Sequence, residues 1–207
     1  MANRNRSRHA VRQSRALGVA LTPKAERYMQ RRPYRPGENG RGRVKDSDYS
    51  VRLKEKQRLR AQYGIREAQM RRVWDEARRE EGLAGENLVE LLEMRLDALV
   101  LRAGFARTIA QARQVVSHRH ILVDGKIVNL PSFRVKPGQV VQVKPASQTS
   151  PEFQVAAQGA HRDVLPKVPD YLDVELEKLK FTLVRRPKRA EVSVEANVQL
   201  IVEHYSR

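Results

Sequence analysis

Cations at helical spacing dominate the chemistry open to this chain. Arg52, Lys56 and Arg60 recur at four-residue steps, and Lys54 and Arg58 make a second row. The two rows lie about 200° apart round a helix at 100° per residue. Only Glu55 offers either row a partner within the helix, so both suit phosphates on more than one side. Arg71, Arg72, Arg78 and Arg79 form an outward set on the next periodic segment. Arg107, Arg113, His118 and Arg119 form a third outward set, followed by Lys126. Arg107 and Thr108 open a helix, where unbonded amides favour a phosphate. His118, His120, His161 and His204 have no metal-ligand spacing with acids. With no cysteine, disulfides, thiol catalysis and cysteine–zinc sites are excluded.

The whole chain fits that emphasis. Its formal net charge is +17 over 207 residues. A surplus of this size calls for a polyanion, nucleic acid first and an anionic membrane second. The charge is concentrated. Residues 1–72 carry 21 Lys/Arg against 6 Asp/Glu, and the remainder 20 against 18. The first third is therefore the polyanion-binding part, and the rest can fold as a nearly neutral domain. No stretch approaches the roughly 18 apolar residues of a membrane span. The N-terminus has no apolar run and does not read as a secretory signal. On composition it could pass for a transit peptide, but it reads better as a basic arm.

The elements that must position these cations follow from periodicity. Residues 1–46 show none that is sustained. Arg31-Arg32-Pro33-Tyr34-Arg35-Pro36-Gly37 is held open by prolines, and the segment is expected to order only against RNA. Ser47 or Asp48 caps a helix reaching Tyr63, stopped by Gly64. Tyr49, Leu53, Leu59 and Tyr63 are its expected core contacts. A second helix, 66–81, turns Met70, Val73, Trp74 and Ala77 inward; Trp74 is core at this spacing. Leu88, Leu91, Leu92, Leu96, Leu99 and Ala103 make one apolar stripe, ended by Gly104. Glu86, Glu90, Glu93 and Asp97 make that helix acidic, better suited to a basic protein surface than to phosphate. Thr108 and Gln111 form a capping box for the next helix. Its buried side is Ile109, Ala112, Val115 and Val116.

Asp124-Gly125 between two apolar runs signals a type I′ hairpin. Phe133 to Val135 and Val140 to Val143 read as strands joined by Pro137-Gly138. Residues 146–160 read as a loop or short helix. Leu172, Val174 and Phe181 to Val184 supply further β runs. Ser193 is the expected cap of a terminal helix with Val194, Val198, Ile201 and Tyr205 as its stripe. A helix that short must dock, most plausibly on the N-terminal helices.

The stretch from Arg95 to Gly125 resembles the RNA-binding module named after ribosomal protein S-four. Arg95, Leu96, Asp97, Gly104, Phe105, Thr108, Ala112, Arg113, Gln114, Val116, Ser117 and His118 carry the match. Ala98 and Leu101 depart from it, where an asparagine and an aromatic are usual. Outside the module, RRPYRPGENGRG at 31–42, DSDYSVRLKEKQRLRAQYG at 46–64, GENLVELLEMRLD at 85–97 and LIVEHYSR at 200–207 extend the resemblance to the bacterial S-four family over nearly the full length.

The resemblance implies an α+β protein. Residues 1–46 would be a basic extended arm. Residues 47–92 would form a helical domain completed by 185–207, and residues 93–184 the module with a small antiparallel sheet. It further implies a cytoplasmic structural constituent of the small ribosomal subunit. Such a protein binds small-subunit (16S) ribosomal RNA early in assembly and sits beside protein S-five. It also lines the messenger entry channel and influences decoding accuracy. On this basis the cation sets above, with Arg31, Arg32 and Tyr34 of the arm, are candidate rRNA contacts. Arg41, Arg43 and Lys45 are candidates for the messenger channel. Glu195, Ile201, Glu203 and Tyr205 are candidates for a protein interface. Many relatives carry an N-terminal cysteine cluster that binds metal; this chain has none, so no metal or cofactor is expected.

Two other readings compete. Pseudouridine synthases append the same module and use an arginine-leucine-aspartate signature, which Arg95-Leu96-Asp97 matches. Here that aspartate lies within an amphipathic helix, and too little chain remains for a catalytic domain. The other is a stand-alone ribosome-associated factor, which would be substoichiometric in purified subunits.

Overall fold

The computed structural model describes residues 2–42 and 45–206, with side chains from residue 9 onward. In chain order the helices are α1 (Ala2–Leu17), α2 (Pro23–Arg31), α3 (Asp48–Gln62), α4 (Glu67–Ala77), α5 (Ala84–Glu93), α6 (Leu96–Arg102), α7 (Ile109–Ser117), α8 (Pro145–Gln148), α9 (Pro151–Ala157) and α10 (Val198–Tyr205). The strands are β1 (Ile121–Val123), β2 (Lys126–Ile127), β3 (Val140–Val143), β4 (Leu172–Glu175) and β5 (Lys180–Leu183). The protein is α+β, as the resemblance implied. None of the described helices is long and apolar enough to cross a membrane. Packing divides the chain into one unit reaching Ile65 and resuming at Val194, and a second unit, Arg66–Ser193.

The first unit corrects the expectation of an extended arm, because residues 2–31 hold two helices. The signal was local. Thr22 Oγ1 accepts from the Ala25 amide at 3.2 Å, and Pro23 occupies the first turn of α2, where its missing N–H costs nothing. Buried Ser14 donates to the Ala10 carbonyl and accepts from the Leu21 amide, which fixes the turn between α1 and α2. Ser47 caps α3 as expected, and Gly64, at φ 60°, lies just past its end. Leu59 and Tyr63 are buried, but Tyr49 is 62% exposed and Leu53 only half-buried.

The terminal helix packs on α3. Its cap is Asn197, whose Oδ1 accepts from the Leu200 amide, and not Ser193. The four residues before it are extended instead. Gln62 holds them by bonding both the amide and the carbonyl of Glu195.

In the second unit Met70, Val73, Trp74 and Ala77 are buried and α4 packs on α5. Arg134 reaches back to Glu76, and Arg186 to Glu80 and Glu90. Those links group α4 and α5 with the sheet, where the sequence suggested a boundary near residue 92. The apolar stripe from Leu88 to Ala103 is two helices. The break at Met94-Arg95 is tertiary. The Met94 carbonyl accepts from Val135, while the Leu96 and Asp97 amides donate to Phe133 and Pro131. The expected strand at Phe133–Val135 is thereby reduced to an isolated bridge between Arg95 and Arg134.

Gly104, at φ 83°, ends α6 as expected. Asp124 and Gly125 both have positive φ, 48° and 77°, as a type I′ hairpin requires. All pairings in the sheet are antiparallel, in the order β2-β1-β3-β5-β4. Val141, Val143, Phe181 and Leu183 form its buried face. They share a core with Leu99, Phe105, Val115 and Phe153. Each such side chain contributes about 1.5–3 kcal/mol by burial.

Candidate nucleic-acid interface

The two basic rows of α3 lie on the element the sequence proposed, but their charges are largely engaged within the unit. Lys54 reaches Asp46 at 2.5 Å, and Arg52 reaches Glu203 on α10 at 3.2 Å. Arg58 pairs with Glu55 and donates to the Leu17 carbonyl at 2.6 Å. Lys56 is 7% exposed, with Nζ 5.7 Å from the Tyr205 ring centroid. Arg60 is half-buried. This row is a packing element before it is a phosphate surface. Asp46 is correspondingly held below the usual carboxylate range, chiefly by hydrogen bonds from Lys54 and Arg35.

Other cations stand open. Arg71 and Arg72 on α4, and Arg78 and Arg79 just past its end, are exposed, as are Arg107, His118, Arg119 and Lys126 around α7 and the hairpin. Among the described residues no carboxylate pairs with Arg71, Arg72 or Arg107. Arg119 has φ 64° and closes the turn between α7 and β1. Thr108 caps α7 by accepting from the Gln111 amide at 3.2 Å. The Gln111 side chain reaches back to the amide of Arg107, one residue earlier than a capping box would place it. Two amides at this helix N-terminus, of Arg107 and Gln111, are thus already bonded and not open to a phosphate.

Arg113 departs from the expected outward face. Its guanidinium meets Asp97 Oδ2 at 2.7 Å, and its side chain is 35% exposed. Arg95 grips the same carboxylate through Nε at 3.0 Å and Nη2 at 2.9 Å. Asp97 is fully buried and also accepts from the Ala98 amide. A carboxylate surrounded in this way is a structural anchor. Glu93 is equally buried, bonded by Arg102 and by the Tyr171 hydroxyl at 2.7 Å. Burial and the Glu93 charge push the Tyr171 hydroxyl far above its ordinary pKa. The acidic face expected on this helix is therefore turned inward at Glu93 and Asp97. Arg186 engages Glu90, and Glu86 stays exposed.

In the arm, Arg31, Arg32, Arg41 and Lys45 are exposed. Arg43 lies outside the described residues. Both Arg41 and Arg15 lie over the Tyr34 ring, their guanidinium carbons 4.7 and 5.0 Å from its centroid. A hydrogen bond with Arg41 is the main cause of its lowered pKa. Sequence reasoning missed Arg15, because its partners lie 17 to 20 residues away.

The candidate interface residues diverge. Glu195 is exposed, Glu203 pairs with Arg52, and Tyr205 lies against Lys56. Ile201 is fully buried in its own unit and presents nothing to a partner.

Residues 5–93 match a family model described as the ribosomal protein S4/S9 N-terminal domain, and residues 94–141 match the S4 domain. The boundary between the two falls at the break between α5 and α6. Curated proteins named small ribosomal subunit protein uS4 are similar over the whole of both chains. The one from Beutenbergia cavernae is 74% identical over 208 residues, and the one from Arthrobacter sp. 71% over 208 residues.

Proposed function

The chain belongs to the uS4 family of small ribosomal subunit proteins, and from that premise we propose that it is a structural component of the small subunit that binds 16S ribosomal RNA through phosphate contacts. The observation that carries this is the exposure of Arg71, Arg72, Arg78, Arg79 and Arg107, while the Glu93 and Asp97 carboxylates of the module are consumed internally. It works in the cytoplasm as part of the ribosome, in a structural and not an enzymatic role. Binding early in assembly, contact with protein S-five through Glu195 and the exposed edge of α10, and lining of the messenger channel by Arg41 and its neighbours complete the reading. Quantitation in purified small subunits tests it directly. A constituent is present at one copy per subunit; a substoichiometric protein would be a factor instead. Chemical footprinting on small-subunit ribosomal RNA then locates the contacts.

A further inference from the structure

Arg15 lies in the first unit, outside every cation set that the sequence singled out. Its Nε donates to the carbonyls of Arg32 at 3.3 Å and Tyr34 at 3.2 Å. Its Nη2 donates to Tyr34 at 2.9 Å and Arg35 at 3.4 Å. Its guanidinium also lies over the Tyr34 ring, as does that of Arg41. One side chain on α1 thus collects three backbone carbonyls of an irregular segment and contacts its aromatic ring. Besides Arg15, the segment is held at Arg35, whose guanidinium reaches Asp46 at 2.8 Å. Arg31, Arg32 and Pro33 are exposed, and Pro33 and Pro36 remove two backbone donors. Lysine could not reproduce the arrangement, because a planar fork makes these bonds and stacks at once.

We propose that Arg15 is the positioning residue of the basic arm: by gathering the carbonyls of Arg32, Tyr34 and Arg35 and stacking on Tyr34, it fixes the loop so that Arg31, Arg32 and Arg41 are presented together to RNA phosphate. This rests on the rRNA-binding reading above. Its physical content is preorganisation. A loop already held in its bound shape does not lose that freedom on binding, so affinity rises without a new contact. Arg15 itself releases no counterion.

The test uses the full chain and small-subunit ribosomal RNA across a salt series, with Arg15→Gln, Arg15→Lys and, as a charge control, Arg12→Gln on an exposed position of the same helix. Trypsin cleavage within 31–41 and the melting curve are followed on the free protein. Arg15→Gln should lower affinity about tenfold through lost preorganisation, with the slope of log affinity against log salt unchanged. Arm cleavage should accelerate while melting is preserved. Arg15→Lys should behave like Arg15→Gln, since charge alone does not hold the loop. Three results overturn the proposal. One is a slope reduced by roughly 0.7–0.9, which makes Arg15 a phosphate contact. Another is full rescue by lysine, and the third a loosened arm with unchanged affinity. Wild-type protein that fails to bind the RNA overturns the rRNA reading itself, and the positioning role with it.

Discussion

The basic row of α3 and the exposed arginines of α4 look alike in sequence but differ in what surrounds them. On α3, Arg52, Lys54 and Arg58 each meet a carboxylate, and Lys56 is buried. On α4 and just past its end, Arg71, Arg72, Arg78 and Arg79 are exposed. Each cation of the two sets counts alike toward the net charge. Only the second offers its charge at no internal cost, because a phosphate on α3 must compete with Asp46, Glu55 and Glu203. Net charge identifies the class of partner; packing decides which cations can reach it.

The contrast can be broken first at its structural pole. Asp97→Ala removes the carboxylate that neutralises Arg95, itself 5% exposed, and leaves that charge buried. Urea or thermal unfolding should show a loss of about 3–5 kcal/mol. Near-wild-type stability would mean that the Arg95–Asp97–Arg113 cluster is incidental. Ile201→Ala should cost about 2–5 kcal/mol by leaving a cavity between α10 and α3. If Ile201 instead served a partner, the isolated protein would melt unchanged.

Arg113→Ala sharpens the comparison, because Arg113 sits between the two classes. With Arg95 still gripping Asp97, the expected loss is about 1–3 kcal/mol, since a buried carboxylate oxygen loses one charged partner. A variant that keeps its stability while losing RNA affinity would return Arg113 to the phosphate surface.

The smallest effect concerns acid. Arg185 holds the Glu191 carboxyl down to about 2, mainly by hydrogen bonding. Its folded value is below the unfolded one of about 4.3, so its contribution is present above that range and lost as pH falls through it. Glu191→Gln should therefore melt slightly lower than wild type near neutral pH and converge with it near about pH 2. A difference that grows on acidification would reverse the assigned sign.

Much of this fold was legible because its signals are local. Ser47 and Thr108 cap the helices they precede, Gly104 stops α6, and Asp124-Gly125 turns the hairpin. The module's motif was equally legible. What escaped was long-range. The partners of Arg52 and Arg134 lie 151 and 58 residues away in sequence. The helix break at Met94-Arg95 arises from backbone bonds to residues 131–135. Arg113 read as outward because its partner, Asp97, is on another helix. The candidate site was therefore legible as a list of cations, without the distinction between those left open to solvent and those that hold the fold.

The most direct test of that distinction compares two charge-neutralising pairs in the full protein, Arg71→Gln with Arg72→Gln, and Arg52→Gln with Lys54→Gln. Each is measured for affinity to small-subunit ribosomal RNA over a salt series. If each open arginine neutralises one phosphate, the α4 pair should reduce the slope by roughly 1.5, and the α3 pair by less than about 0.5. The α4 pair should leave stability within about 0.5 kcal/mol of wild type. A larger slope change from the α3 pair than from the α4 pair would contradict the account, because internally paired cations would then be the ones reading phosphate.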